Sequence, residues 1–458
     1  MGEAPPTDSA APMPPLRKNR DFRLLWSGAA ASFLSSRVSA AAYPLVVLWT
    51  TGSPLATSVV SFAALLPLLL IQLPAGALVD RWDRRRLMVI CEAGRFLALA
   101  TVAGAVLSGT VSVPHLAAVA FTESCLNVFY RLAERGAVRN VVPVEQLPTA
   151  LAGNEARGRA AGLVGQPGGI LLHSLVRWAP FLFAAVGYLV SLGSLLLIRK
   201  DFQAERKTRP GRLRTEVAEG MRWLWRQRFL RAALGIVAGS NILFQVLSLA
   251  LILMIKEDGR SPATLSIVVV CSGAGGMLGA LSGGWWLRRF SQRAILVGGA
   301  TAWAVLMTSM ALVREPLGLG ALFAGTSLVG AVFNVAAGVY QVRVTPDAMQ
   351  GRVAATANLL GSGTNALGSL GGGLVLAAWG TTRSVLLVGG VMALLAALAA
   401  LSPALRSEDT PADTASPDTV PAETVPAGTA PAGTPAADGG RPATDPPTAP
   451  DRTEGAPL

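Results

Sequence analysis

Read as a succession of apolar and polar positions, the chain is a series of apolar runs divided by polar breaks. The runs fall at 24 to 49, 55 to 79, 87 to 109, 114 to 133, 148 to 172, 178 to 198, 232 to 255, 262 to 287, 294 to 313, 316 to 341, 353 to 378 and 384 to 402. About 20 helical residues cross a hydrocarbon core of about 30 Å, and each run comes near that length. The pattern predicts an all-α polytopic membrane protein with twelve transmembrane helices. The first run is too long for the apolar core of a signal peptide and is expected to remain as helix 1.

Composition agrees: 52% of the residues are hydrophobic, 14% are charged and the mean hydropathy is +0.48, too apolar for a soluble protein of 458 residues. A net charge of +12 would suit a nucleic-acid partner. The positions of the charges exclude that reading, because nearly all the basic residues stand in breaks between apolar runs, where they orient a membrane protein. When alternate breaks are assigned to the cytoplasm, only Arg177, Lys256, Arg260, Arg314 and Arg383 fall on the far side. Both termini are then cytoplasmic, in a multi-pass protein of the cell membrane. Cys91, Cys125 and Cys271 lie in apolar runs without paired spacing, and there are two histidines, so no disulfide framework, metal site or cofactor is expected.

An internal repeat divides the chain. Ser53-Pro54 recurs as Ser261-Pro262, the turn after Gly76 as Gly283-Gly284-Trp285-Trp286-Leu287-Arg288-Arg289, and Val142-Pro143 as Thr345-Pro346, at offsets of 208, 207 and 203. Two six-helix bundles follow, at 22–198 and 232–402. Residues 1–21 and the Pro/Ala/Thr-rich 403–458 read as disordered tails. The break at 199–231 is a basic cytoplasmic loop in which Leu213, Val217, Met221, Leu224 and Trp225 recur at helical spacing, consistent with an amphipathic helix on an anionic leaflet or with a solvated linker.

One break concentrates charge. Asp80-Arg81-Trp82-Asp83-Arg84-Arg85-Arg86 sets six charges in seven residues, shortly after Gly76. Gly76, Asp80, Arg81, Arg84 and Arg85 in this order resemble motif A of the major facilitator superfamily. The resemblance implies that the glycine permits close helix packing and that the acid and arginines latch the cytoplasmic side shut. Glu92 and Arg95, one turn inside helix 3, are expected to support that latch. Gly153, Gly162, Pro167, Gly168 and Gly169 resemble motif C of the antiporter branch, which kinks helix 5 and closes the outer side. With Gly351-Arg352-Val353 and the Phe22-to-Trp26 start, the chain looks most like the macrolide-efflux and enterobactin-exporter branch of drug:proton antiporters.

Charges at membrane depth cost about 2.5–3.5 kcal/mol on insertion scales and so invite a functional reading. Arg37 lies near the midpoint of helix 1 and Glu123 near that of helix 4; Glu123, Asn127 and Tyr130 share a helical face. Asn241 and Gln245 on helix 7, and Asn334 and Gln341 on helix 10, continue the theme. In the family these helices line the central cavity, so the eight residues are the expected transport and proton-coupling set, with Arg37 pairing with Glu123. Hydrogen bonding between helices is the other reading of such groups. The resemblance implies a secondary transporter and not an enzyme: a monomer that exports an amphipathic drug, antibiotic or siderophore against protons. Uptake of a metabolite, or a transport-inactive scaffold or sensor, are the alternatives.

Overall fold

The computed structural model describes residues 16–79, 81–198, 202 and 213–405. Most of both expected tails, Asp80 of the charged turn, and the central loop between Ile198 and Leu213 apart from Phe202 lie outside the described residues. Among those described there are thirteen α-helices and no strand: α1 (Arg20–Thr51), α2 (Pro54–Leu70), α3 (Gln72–Val79), α4 (Arg84–Leu107), α5 (Val113–Val141), α6 (Leu147–Leu175), α7 (Ala179–Leu197), α8 (Leu213–Arg226), α9 (Arg228–Glu257), α10 (Ala263–Arg289), α11 (Gln292–Ser309), α12 (Pro316–Val344) and α13 (Gln350–Leu401). Seven of them are long and apolar enough by composition alone to cross a membrane.

Local chemistry sets the boundaries. Asn19, Ser53, Asp83, Ser112 and Ser291 each accept a backbone N–H of the first turn of the helix that follows, which satisfies one of its orphan donors. Gly52, Gly109 and Gly259 stop helices with φ near +70°, a conformation that costs glycine nothing.

The second run, expected as one helix, is broken into α2 and α3. Pro74 has no N–H to offer the Leu70 carbonyl, and the ladder resumes with Ala75 donating to Ile71 at 2.8 Å. The last two runs remain two helices within the span of α13, because Gly380 between them is non-helical (φ +70°, ψ 176°). The fourth run was expected to end at 133, yet α5 continues to Val141 and carries Glu134 into the interior. The amphipathic stretch of the central loop is helical as α8. Leu224 packs in a cluster with Leu230 and Val353, and Glu219 pairs with Arg352 at 2.7 Å, so α8 is seated on the start of α13.

The repeat is written into the backbone packing. A Cβ on Gly165 of α6 would meet Arg37 Cβ at 2.6 Å and the Leu34 carbonyl oxygen at 3.2 Å of α1; one on Gly169 would meet Val38 backbone atoms at 2.5 to 3.1 Å. At the offset of 203, Gly368 and Gly372 of α13 lie as tightly against Ile242, Gln245 and Val246 of α9, which stand 208 residues after Leu34, Arg37 and Val38. Small residues are what let helix backbones approach this closely in lipid. Helices α1–α7 and α9–α13 thus form two six-crossing bundles of one design. The bundles touch at the end that carries Gly52 and Gly259. There Lys256 donates to the Leu48 carbonyl, Ser266 donates to the Pro167 carbonyl at 3.4 Å, and Gly373 lies against Pro54 and Ser58.

Candidate functional site

Glu123 is buried in the N-terminal bundle, and three hydroxyl groups from two other helices converge on it. Ser39 and Tyr43 of α1 donate at 2.7 and 2.8 Å, and Tyr188 of α7 donates at 2.5 Å. Ser39 and Tyr43 are one turn apart and so present both donors to one point. A carboxylate accepts at both oxygens, so one side chain of α5 ties α1 and α7 together.

Behind this cage lies an ion pair. Arg95 of α4 is fully buried and donates to Tyr188 Oη at 2.6 Å, to Ser32 Oγ at 2.8 Å and to Glu92 Oε1 at 3.1 Å; Ser32 in turn donates to Glu92 at 2.8 Å. The guanidinium also stands over the Tyr188 ring, 3.8 Å from its centroid. Glu92, Arg95, Tyr188 and Glu123 therefore form one hydrogen-bonded chain through the bundle. Glu92 and Arg95, expected as supports of the basic turn, pair with each other and are linked inward, through Tyr188, to Glu123.

A cavity of about 190 Å³ adjoins the cage between α1, α2 and α5. Of the eight residues expected around a central cavity, it brings together Arg37, Glu123 and Asn127, and adds Arg131, one turn beyond Asn127. Among the described residues no ion pair joins Arg37 to Glu123; the guanidinium connected to Glu123 is that of Arg95, through Tyr188. Tyr130 is buried beside Ser191, 3.3 Å from its hydroxyl, and does not line the cavity. Gln245 donates to the Asn365 carbonyl at 3.4 Å, Asn241 lies near Gly361, Asn334 is exposed, and Gln341 lines a small separate pocket between α9, α11 and α12. These four belong to the other bundle and take no part in the cavity.

The charged turn is anchored within its own bundle. Asp83 caps α4, Arg84 donates to the Phe202 carbonyl at 3.4 Å and Arg85 to that of Leu196 at 3.2 Å; Arg81 is exposed. A Cβ on Gly76 would meet nothing within 4 Å, so close packing does not explain that glycine; Gly136 is the one that makes room, for Arg84. In the second motif, Gly169 makes the close approach to α1 and Gly153 lies near Trp26, whereas Gly162 and Gly168 face open space. Pro167 lies buried within α6.

Four contributors were not singled out from the sequence: Tyr188, Gly165, Arg131, and Glu134, which pairs with Arg157 of α6 at 2.9 Å with both side chains buried. Gly165 was within reach, since Gly165/Gly368 and Gly169/Gly372 share the offset of Val142/Thr345. Tyr188 carried a weaker signal, the one phenol in a helix otherwise of apolar and small residues.

Comparison with known proteins agrees with this architecture. A family model described as transmembrane secretion effector matches residues 10–432. The chain is 26% identical over 395 residues to the multidrug efflux pump Tap of Mycolicibacterium fortuitum, covering 81% of this chain and 93% of that protein. It is also 26% identical to the uncharacterized transporter YfiS of Bacillus subtilis, covering 76% and 85%. Among solved structures, it superposes with a TM-score of 0.67 at 12% identity on an inward-facing bacterial homolog of the lysosomal transporter Spinster (86% of this chain, 98% of that one). The nucleoside transporter NupG gives 0.65 at 14% identity (84% and 98%).

Proposed function

Because the chain belongs to the transmembrane secretion effector family of major facilitator transporters and is a multi-pass membrane protein, we propose that it exports an amphipathic small molecule by alternating access, driven by proton entry at Glu123. The observation that carries the reading is the hydroxyl cage. Hydrogen bonds to a charged group contribute about 1.5–3 kcal/mol against about 1 for neutral pairs. Protonation of Glu123 therefore weakens three links among α1, α5 and α7 by on the order of 1 kcal/mol each. A total near 3 kcal/mol moves a two-state equilibrium by about two decades, enough to let a proton decide which face is open.

The relatives described as efflux pumps support export. The basic residues of the breaks favour a cell-membrane protein with both termini in the cytoplasm; in this reading it acts as a monomer of two bundles, 22–198 and 232–402. In that orientation the contacts near Gly52 and Gly259 close the outer side. The acid and arginines of the turn at 80–86 act as the inner gate in this reading. The test is Glu123→Gln, which mimics the protonated acid, in proteoliposomes containing the full chain. Accumulation driven by a pH gradient should fail, while exchange of labelled for unlabelled substrate without a gradient persists. A Gln variant that pumps as well as the parent overturns the reading.

A further inference from the structure

The cavity beside Glu123 carries two positive charges that the coupling reading does not use. Arg37 reaches it from α1 and Arg131 from α5, so both guanidinium groups line the same cavity. Arg37 has no hydrogen bond or ion pair among the described residues, and Arg131 has a ring contact with Phe33, 5.4 Å from its centroid. Arg37 is exposed toward the cavity, and charged side chains at membrane depth that face a cavity mark substrate pathways. The arrangement is complementary to a negative group brought in from outside the protein, and Asn127 and Ser36 on the same wall add hydrogen-bonding capacity.

The coupling reading adds a second requirement, and the inference rests on it. Glu123 lines the same cavity, and a substrate that displaces its proton by meeting the carboxylate directly offers it a positive charge. The two requirements meet in one chemical class. We propose that the transported molecule is an amphipathic zwitterion, its anionic group seated between Arg37 and Arg131 and its cationic group at Glu123. Drug-sized ligands fill roughly 300–1,000 Å³, so the cavity takes the charged end, and Phe33, Leu65 and Leu68 offer an apolar wall to the remainder.

The repeat supplies variants that should fold. Gln245 stands where the second bundle repeats Arg37 and packs on Gly368 as Arg37 packs on Gly165, and Asn334 repeats Arg131. Arg37→Gln and Arg131→Asn therefore install side chains that the fold already accepts. The probes are four naphthalenes carrying a sulfonate, an aminomethyl, both, or a hydroxymethyl group, titrated calorimetrically into the purified full chain in detergent. The doubly charged compound should bind at least tenfold tighter than the hydroxymethyl one. R37Q and R131N should each remove the gain from the sulfonate and keep that from the amine, and E123Q the reverse. The proposal is overturned if the aminomethyl compound alone binds as tightly as the doubly charged one, if the sulfonate preference survives both arginine variants, or if none of the four binds. Binding and pumping fail separately: the expected charge pattern without gradient-driven flux leaves the site standing and removes the coupling reading, and flux without the pattern does the opposite.

Discussion

Replacing Arg95 by Met tests whether the chain from Glu92 to Glu123 is a strut of the bundle or an accessory of the charged turn. The change keeps an unbranched chain about as long as the aliphatic stem of arginine and removes the guanidinium. Arg95 and Glu92 are both fully buried, 3.1 Å apart, and Oε2 of Glu92 has no hydrogen-bond partner among the described residues. Deleting the cation leaves a carboxylate in the interior with Ser32 as its remaining partner there, and breaking a buried pair from one side costs about 3–5 kcal/mol. Tyr188 also loses the donor that orients it toward Glu123. Adding Glu92→Gln removes the stranded charge, so the double variant should recover roughly half of the loss, because the replacement of both partners is far milder than the removal of one. Equilibrium unfolding of the purified protein in detergent measures both, with membrane abundance recorded in parallel. An R95M protein as stable as the parent, impaired only in transport, would refute the strut and restore these residues to the gate.

Two further outcomes follow from the packing and the charge distribution. Gly169→Ala should destabilise the N-terminal bundle by about 1–3 kcal/mol, since the new methyl would meet the Val38 backbone at 2.5 to 3.1 Å, where no side chain can swing aside. Gly168→Ala, which meets nothing within 4 Å, should be neutral or gain up to about 1 kcal/mol of helix propensity. The same unfolding assay compares them, and equal losses would show that the glycines act through the helix and not through the contact with α1. For topology, cysteines introduced beside Gly52 and Arg383 should react with an impermeant maleimide added to intact cells, and one beside Arg209 should react only after lysis; the reverse pattern inverts the proposed orientation.

The fold was legible because a bilayer leaves the sequence few options. Backbone groups in hydrocarbon must be satisfied within the segment, so every apolar run had to be a helix. What an apolar run marks, however, is membrane and not helix. Glu134 was placed beyond the end of the fourth helix because the run stops at 133, whereas α5 continues for two more turns to Val141 and buries the acid against Arg157. Pro74 went unremarked as a breaker because apolar residues flank it on both sides. At the site, Glu123 could be singled out by its depth, since a charge there needs a reason. That Ser39, Tyr43 and Tyr188 converge on it could not be read from the sequence, because the juxtaposition of their helices is a property of the bundle. Arg37 was the obvious counter-charge by depth alone. The structure instead turns Arg37 to the cavity and links Glu123 to Arg95 through a phenol.

The second bundle acts as a control for the first. Position by position along the repeat, Ser39 and Tyr43 become Leu247 and Leu251, Glu92 becomes Ala300, Arg95 becomes Trp303, Glu123 becomes Thr326 and Tyr130 becomes Phe333. The helices still pack as before: Trp303 stacks on Phe333 at 5.3 Å between ring centroids and donates to the Thr326 carbonyl at 2.9 Å, filling with aromatic rings the space that the first bundle fills with charge. An apolar core therefore suffices for this six-helix design. Buried ion pairs are often less stabilising than well-packed apolar replacements, although removing one partner alone strands the other, so the six-helix packing by itself does not call for the charges of the first bundle. They are retained at a cost in one bundle of two. In the proposed mechanism the ion-dependent step therefore falls to α1, α4, α5 and α7, with the second bundle as the comparatively inert partner against which the first one moves.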